Sequence, residues 1–283
     1  MKKIFFITFF ALFVFTTLFF YQYQKFHDDK LHIVFCDVGQ GDGILITTPS
    51  GKQILFDAGP DQAIVDCLSN HMPFWDRTIE VALLSHPHTD HFMGYYYVFE
   101  RYKIDQFATE NLQNNTDSFV GLMEKIQKKQ VPMRYVVAGD RWKVGEVTVA
   151  TVAPTDAFIT SKNPDRFITN SAESASLAVL VSYKDFSVLL TGDAPLEEMK
   201  EIVVSGLDVL QIPHHGSTTG LDEHVIKKLL PQLAVISVGA DNRYGHPKKE
   251  ILELLQQFGI QTLRTDLKGD IEFISNGHEV IFR

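Results

Sequence analysis

The stretch His86-Pro87-His88-Thr89-Asp90-His91 decides the reading of this chain. Four metal-type ligands fall within six residues, directly after the apolar run Val81-Ala82-Leu83-Leu84. Such a run reads as a buried strand. The ligands then lie on the loop at its end, where open α/β sheets collect what they bind. Imidazole nitrogens and a carboxylate oxygen from one loop suit Zn²⁺ and similar ions. One His-x-His pair would fit an ordinary polar surface loop. The full H-x-H-x-D-H pattern behind a strand is a metal motif.

The other histidines point the same way. Of 11, three lie in this motif, two are adjacent at His214-His215, and one sits in Tyr244-Gly245-His246-Pro247. Each group lies at or soon after an apolar, strand-like run. Asp193, in Leu189-Leu190-Thr191-Gly192-Asp193, does too.

Residues 1–24 stand apart. Lys2 and Lys3 precede an apolar run from Ile4 to Tyr21, and no further charge appears until Lys25. At about 1.5 Å per residue this covers most of a hydrocarbon core about 30 Å thick. The basic start favours a cytoplasmic N-terminus with the remainder outside. A cleaved signal peptide, which would make the protein secreted, calls for small residues at its cleavage site. Tyr21-Gln22-Tyr23-Gln24-Lys25-Phe26 has none, so an uncleaved single-pass anchor in the cytoplasmic membrane is expected. Residues 25–30 read as a linker and 31–283 as one folded domain.

Beyond the anchor, 24 basic residues face 35 acidic ones, a net charge of −11. That weighs against a long, non-specific grip on nucleic acid. It does not exclude phosphodiester chemistry, because two divalent cations would reverse the field locally. Cys36 and Cys67 sit in apolar surroundings without a CxxC partner and read as buried thiols. An extracytoplasmic compartment would also allow one disulfide between them.

The pattern after the linker is strand-rich. Strands are expected at 31–37, 44–48, 53–57, 147–152, 176–183, 187–191, 209–212 and 233–238, and a hairpin at 271–275 and 279–282 around Asn276-Gly277. Helices are expected at 62–70, 116–129, 196–204, 222–230 and 248–257, with a start at 93–101. Residues 154–173 form one long polar, irregular stretch.

At this point a resemblance is specific. The H-x-H-x-D-H loop, Gly192-Asp193 and the downstream histidines resemble the metallo-β-lactamase superfamily. Asp37-Val38-Gly39-Gln40-Gly41-Asp42, Leu55-Phe56-Asp57-Ala58-Gly59, Pro213-His214-His215-Gly216-Ser217 and Asn242-Arg243-Tyr244-Gly245-His246-Pro247 are similar, in order, to the C-terminal hydrolase domain of the ComEC/Rec2 competence proteins. The resemblance implies an α/β fold, a four-layer αββα sandwich, here preceded by one transmembrane helix. It departs in two places. The family's channel helices have one counterpart span here, which makes no channel by itself. Glu173 also stands where members often carry Asn ahead of Ser176-Leu177, with Asn170 nearby.

Ligand chemistry then suggests roles. His86 and His88 would hold one divalent ion, Zn²⁺ or Mn²⁺. Asp90 and His91 would hold a second, with Asp193 bridging. Two such ions activate water without a serine or cysteine nucleophile. A further histidine would complete the second ion, His215 ahead of His246, with His214 in its support. Whichever is not a ligand becomes a candidate to protonate the leaving group. Asp90, His214 and His246 are therefore the catalytic candidates, and Gln40, Asp42, Ser217 and Tyr244 the substrate-contact candidates. Asp57 reads as a loop-closing carboxylate. Phe92-Met93-Gly94-Tyr95-Tyr96-Tyr97 reads as core with one exposed face, or as a stacking platform for bases.

The expectation is a membrane-anchored, extracytoplasmic metallohydrolase of phosphodiesters. DNA as substrate and a DNA-uptake channel protein as partner follow from the resemblance alone. The alternatives are a cell-envelope phosphoesterase resembling the phosphorylcholine esterases, and a non-catalytic accessory subunit of DNA uptake.

Overall fold

The computed structural model describes residues 2–168 and 174–283. Helix α1 (Lys2–Phe26) comes first. Within Lys3–Phe26 an unburied 18-residue stretch has a mean hydropathy of 2.3, and the helix is long and apolar enough to cross a membrane. It runs two residues into the expected linker.

The strands of the first sheet are β1 (Leu31–Phe35), β2 (Gly43–Thr47) and β3 (Gln53–Ala58), then β5 (Val81–Leu84), β7 (Phe107–Thr109) and β8 (Met133–Tyr135). Short β4 (Thr78–Ile79) and β6 (Lys103–Ile104) pair beside them as a ribbon. The second sheet holds β9 (Arg141–Val144), β10 (Val147–Ala153), β11 (Ala178–Tyr183), β12 (Phe186–Leu190), β13 (Val209–Gln211), β14 (Leu233–Ile236) and β15 (Gln261–Arg264) in reverse spatial order. The chain then returns to the first sheet. β16 (Ile271–Ser275) pairs antiparallel with β1, and β17 (Val280–Phe282) closes that edge.

The strands are apolar on both faces because both faces are covered. Leu31, Ile33 and Phe35 of β1, Ile54 and Phe56 of β3, and Val81 and Leu83 of β5 point inward. There they meet Val149, Val179, Val181, Val188, Leu190 and Val235 of the other sheet. The alternate residues Val34, Leu55, Ala82 and Leu84 point outward. They pack under α2 (Ala63–His71), α3 (Thr89–Phe92), α4 (Tyr95–Arg101) and α5 (Asp117–Lys128). The far face of the second sheet lies under α7 (Leu196–Glu201), α8 (Glu223–Leu229) and α9 (Lys249–Gln257), with α6 (Asp156–Lys162) and α10 (Thr265–Lys268) at its margins. Helix, sheet, sheet and helix stack in the expected order.

Helix starts follow their caps. The side chains of Thr116, Thr155 and Asp222 accept from the backbone N–H groups of Phe119, Phe158 and Val225. Each such cap is worth about 1 kcal/mol.

Three expectations are corrected. The stretch read as irregular carries α6, which Thr155 caps and which buries Phe158 and Ile159. The short strands β4, β6, β7 and β8 are additions to the expected set, and so are β9 and β15. The last two are four-residue edge strands with a half-exposed pattern. Cys36 and Cys67, read as thiols, form a disulfide that ties the end of β1 to α2.

Candidate metal centre

The first set of ligands follows β5. The chain leaves the strand at Ser85 and turns at His88, whose carbonyl accepts from the N–H groups of His91 and Phe92. The single turn of α3 then carries Asp90 and His91. The opposing sheet delivers Asp193 from the end of β12 and His215 from the turn after β13. Ligands from both sheets thus meet over the strand ends.

Two backbone approaches are tight. A Cβ on Gly41 would lie 2.2 Å from the Asp90 carbonyl oxygen. One on Gly192, already at φ +50°, would lie 2.6 Å from both Ser176 Oγ and Ser85 Cβ. Glycine alone lets these loops close on the site.

His86 Nε2 is 2.8 Å from His88 Nδ1 and 3.6 Å from Asp193 Oδ2. On the other side, Asp193 Oδ1 lies 3.4 Å from His91 Nε2 and 3.5 Å from His215 Nε2. Asp90 Oδ2 is 3.4 Å from that same His215 nitrogen. His86, His88 and Asp193 form one compact donor group, and Asp90, His91 and His215 another. The two oxygens of Asp193 are divided between them.

The ring tautomers follow from the outer hydrogen bonds. His91 Nδ1–H donates to Asp57 Oδ2 at 2.8 Å, and His215 Nδ1–H to the Ser237 carbonyl at 3.0 Å. Ser85 donates its hydroxyl proton to Asp57 Oδ2 at 2.6 Å, so its oxygen accepts from His86 Nδ1 at 3.0 Å. In all three rings Nε2 is left as the nitrogen that faces Asp193. His91 Nε2, His215 Nε2 and Asp193 Oδ1 are buried, and none has a hydrogen-bond partner among the described residues. Each such orphan costs about 1–3 kcal/mol. Three facing one another are the donor set that a divalent cation completes, so the residues present fit a metal.

The electrostatics agree. Burial pushes His91 and His215 down, yet Asp193, with Asp90 and Asp57 around His91 and Asp42 beside His215, outweighs it. His91 stays well above the ordinary imidazole value and His215 rises to about 9. Against burial, the same imidazoles hold Asp193 and Asp90 below the carboxylate range. His86 goes the other way, pushed well down by burial, His91 and His88. The cavity is built for positive charge.

His214 and His215 occupy the left-handed region, at φ 52° and 55°. Two such residues in succession are costly outside glycine. Here the turn aims both rings at one carboxylate, with His214 Nε2 3.6 Å from Asp193 Oδ2. His246 joins neither donor group. Its ring lies 5.8 Å from that of His214, and burial with His214 and His215 pushes it down to about 4.

The substrate-contact candidates fare differently. Tyr244 is well exposed beside His246. Gln40 accepts from the Gly239 N–H at 3.4 Å and so bridges two loops. Asp42, expected to touch substrate, is 1% exposed behind the second donor group, 3.7 Å from His91 Nδ1 and 3.7 Å from His215 Nδ1. Ser217 is also buried. It bonds Thr219, whose hydroxyl is 2.9 Å from His214 Nδ1. Both stand behind the histidines rather than in front of them. Of the aromatic patch, Phe92 and Tyr95 are fully buried and cannot stack bases, which leaves Tyr97 exposed. Asn170 and Glu173 lie outside the described residues.

Several site residues escaped the reading of the sequence. Asp57 is not a mere loop closer: its carboxylate takes the Ser85 N–H, the Ser85 hydroxyl and His91 Nδ1. Ser176 Oγ accepts the Asp193 N–H at 3.1 Å, and the Gln211 side chain accepts the Thr191 N–H. The one signal in the sequence for Asp57 is its place at the end of the apolar run Ile54-Leu55-Phe56.

Comparison with known proteins gives a consistent picture. Residues 52–226 match the family described as "Beta-lactamase superfamily domain". ComE operon protein 3 of Bacillus subtilis is 26% identical over 84% of this chain and 32% of its own length. Recombination protein 2 of Haemophilus influenzae is 27% identical over 92% of this chain and 30% of its own. The chain thus spans about a third of these relatives. Among solved structures, the metallo-beta-lactamase fold protein YhfI from Bacillus subtilis superposes with a TM-score of 0.52 at 12% identity, covering 90% of this chain and 100% of that one.

Proposed function

Since the chain belongs to the beta-lactamase superfamily, we propose that it is a dinuclear metal-dependent phosphodiesterase held outside the cytoplasmic membrane by α1. In this reading residues 1–24 anchor, 25–30 link and 31–283 form the hydrolase domain. The observation that carries it is the divided carboxylate of Asp193, with Oδ2 facing His86 and Oδ1 facing His91 and His215.

His86, His88 and Asp193 would hold one divalent ion, and Asp90, His91 and His215, with Asp193 shared, would hold a second. Zn²⁺ or Mn²⁺, if bound there, would supply Lewis acidity and lower the pKa of a water from about 15.7 towards about 7. Asp57 and Ser85 keep His91 and His86 in the ligating tautomer, and Ser237 does so for His215. His214 and His246 are the imidazoles left to deliver a proton to the departing oxygen. His214 is the nearer to the donor groups, with Nε2 3.6 Å from Asp193 Oδ2 and Nδ1 held by the Thr219 hydroxyl, and His246 packs against it at 5.8 Å.

DNA is the proposed polymer substrate and a DNA-uptake channel protein the proposed partner, by likeness to the relatives above. A second reading, a phosphoesterase of small cell-envelope phosphodiesters, is favoured by the net charge of −9, which repels a polyanion. The test is the full chain in detergent, analysed for metal and assayed with Zn²⁺ or Mn²⁺ on single- and double-stranded DNA, bis(p-nitrophenyl) phosphate and phosphorylcholine esters. Two ions per chain with DNA cleavage support the first reading, and activity on small diesters alone the second. One ion or none in metal-replete protein would sink both.

A further inference from the structure

Helix α1 is not a free tether. Lys25 Nζ donates to the Asn70 carbonyl at the end of α2, at 3.4 Å. Deeper along α1, Phe19 lies 5.0 Å, ring to ring, from Trp75 of the folded body. Tyr23, one turn on, stacks on His27 at 4.1 Å, and His27 stacks on Trp75 at 6.4 Å. Trp75 also meets Phe74 edge-on at 4.9 Å. The turn bearing both rings is fixed rather than loose. The Asp76 N–H donates to the Pro73 carbonyl, and the Asp76 carboxylate accepts the Thr78 N–H. Yet Phe74 is 53% exposed and Trp75 36%. Beyond these contacts, two large apolar rings on a fixed turn leave much of their surface uncovered by the chain itself.

Their depth says what covers them. Lys25 is the first charge after Lys3, and Phe19 precedes it by six residues, about 9 Å of helix. A hydrocarbon layer about 30 Å thick counted from Ile4 ends near Tyr23. Trp75, level with Phe19, would lie at or just inside that boundary, the zone that tryptophan favours.

We propose that the Phe74–Trp75 turn is a second membrane contact, bedded in the headgroup–acyl boundary beside α1, which sets the orientation of the catalytic body on the bilayer. This rests on the anchored reading above. The occupant is lipid, because the patch continues the apolar face of a helix that is itself unburied.

The chain has two tryptophans, so Trp142→Phe leaves Trp75 as the lone reporter. The full-length variant is placed in phosphatidylcholine nanodiscs, one chain per disc, with acyl chains brominated near the headgroup. Bromolipid should quench and blue-shift the Trp75 emission, while aqueous iodide should not. Quenching by iodide and not by bromolipid overturns the inference. So does shielding from both, which would mean the turn packs on protein alone, and so does protection from iodide only at two chains per disc, which would mean a second copy covers it. Alkaline extraction separates the two readings. A chain released by carbonate was never anchored; a chain that resists extraction but leaves Trp75 unquenched refutes this contact alone. Phe74→Ala with Trp75→Ala should keep the anchor and speed tryptic cleavage after Lys30. Unchanged cleavage would show that the turn does not hold the body in place.

Discussion

Reducing the Cys36–Cys67 bond tests the fold directly. The bond spans a sequence separation of 31. Loop-closure entropy for that length is about 12 cal/mol/K, or about 3.7 kcal/mol at 25 °C. Both sulfurs stay where they are, 1% and 3% exposed, so reduction opens no cavity and chain entropy dominates. For a chain of this size the loss corresponds to a fall in Tm of about 7–15 °C. The assay is thermal unfolding in detergent, followed by circular dichroism, with and without a phosphine reductant. A variant with Cys36→Ala and Cys67→Ala should ignore the reductant and melt close to the reduced parent. If the parent's Tm moves by less than about 2 °C while thiol titration reports two newly freed thiols, the reasoning is refuted. If the thiols are free beforehand, the bond is absent from the native protein.

Other outcomes follow from the site and the sheet edge. Asp193→Asn keeps the volume of the bridging side chain but not its charge, and should cut phosphodiester turnover by about 10²-fold or more; unchanged turnover would end the two-ion reading. Asp57→Asn can still accept the Ser85 N–H but grips His91 Nδ1 less firmly, so metal affinity by competitive chelation should fall about 10–100-fold. Glu272 bears on pH. Burial pushes its carboxyl up, but His32 and Arg283 outweigh that and bring it down to about 2, from an ordinary 4.5. A depressed carboxylate stabilises fully above about pH 4.5 and loses that contribution as pH falls towards 2. His32 is raised above its ordinary 6.5 by the same partner and by Asp28, against burial, so its share is present below pH 6.5 and fades as pH rises past it. Glu272→Gln should therefore cost most near pH 5–6 and least below pH 3, read as Tm against pH.

Much of the centre was legible because ligand-type side chains are scarce and sat at strand ends. His86, His88, Asp90 and His91 share one loop, and Asp193 closes a run of apolar residues. Burial in loops was not legible. Asp42 and Ser217 come from polar, glycine-bearing turns that look solvent-facing, yet the opposite sheet covers them. Asp57 was misread because its partners lie 28 and 34 residues away, one just past the neighbouring strand β5 and one in α3. The disulfide joins a strand end to a helix, a proximity that exists only once α2 lies on the first sheet. Strand β9 carries an edge pattern, Arg141-Trp142-Lys143-Val144, whose charges face solvent, so no apolar alternation marked it.

The place where the polypeptide ends its course has a different consequence. β1, the first strand, pairs with β16, and β16 in turn pairs with β17, the last strand. Entry and exit therefore lie near one edge of the same sheet, with β16 between them, and the backbone of Glu272 on β16 exchanges hydrogen bonds with that of Arg283. Such a body is a cassette. It can be spliced whole into another polypeptide, or have its ends fused and be reopened elsewhere, without rethreading the core.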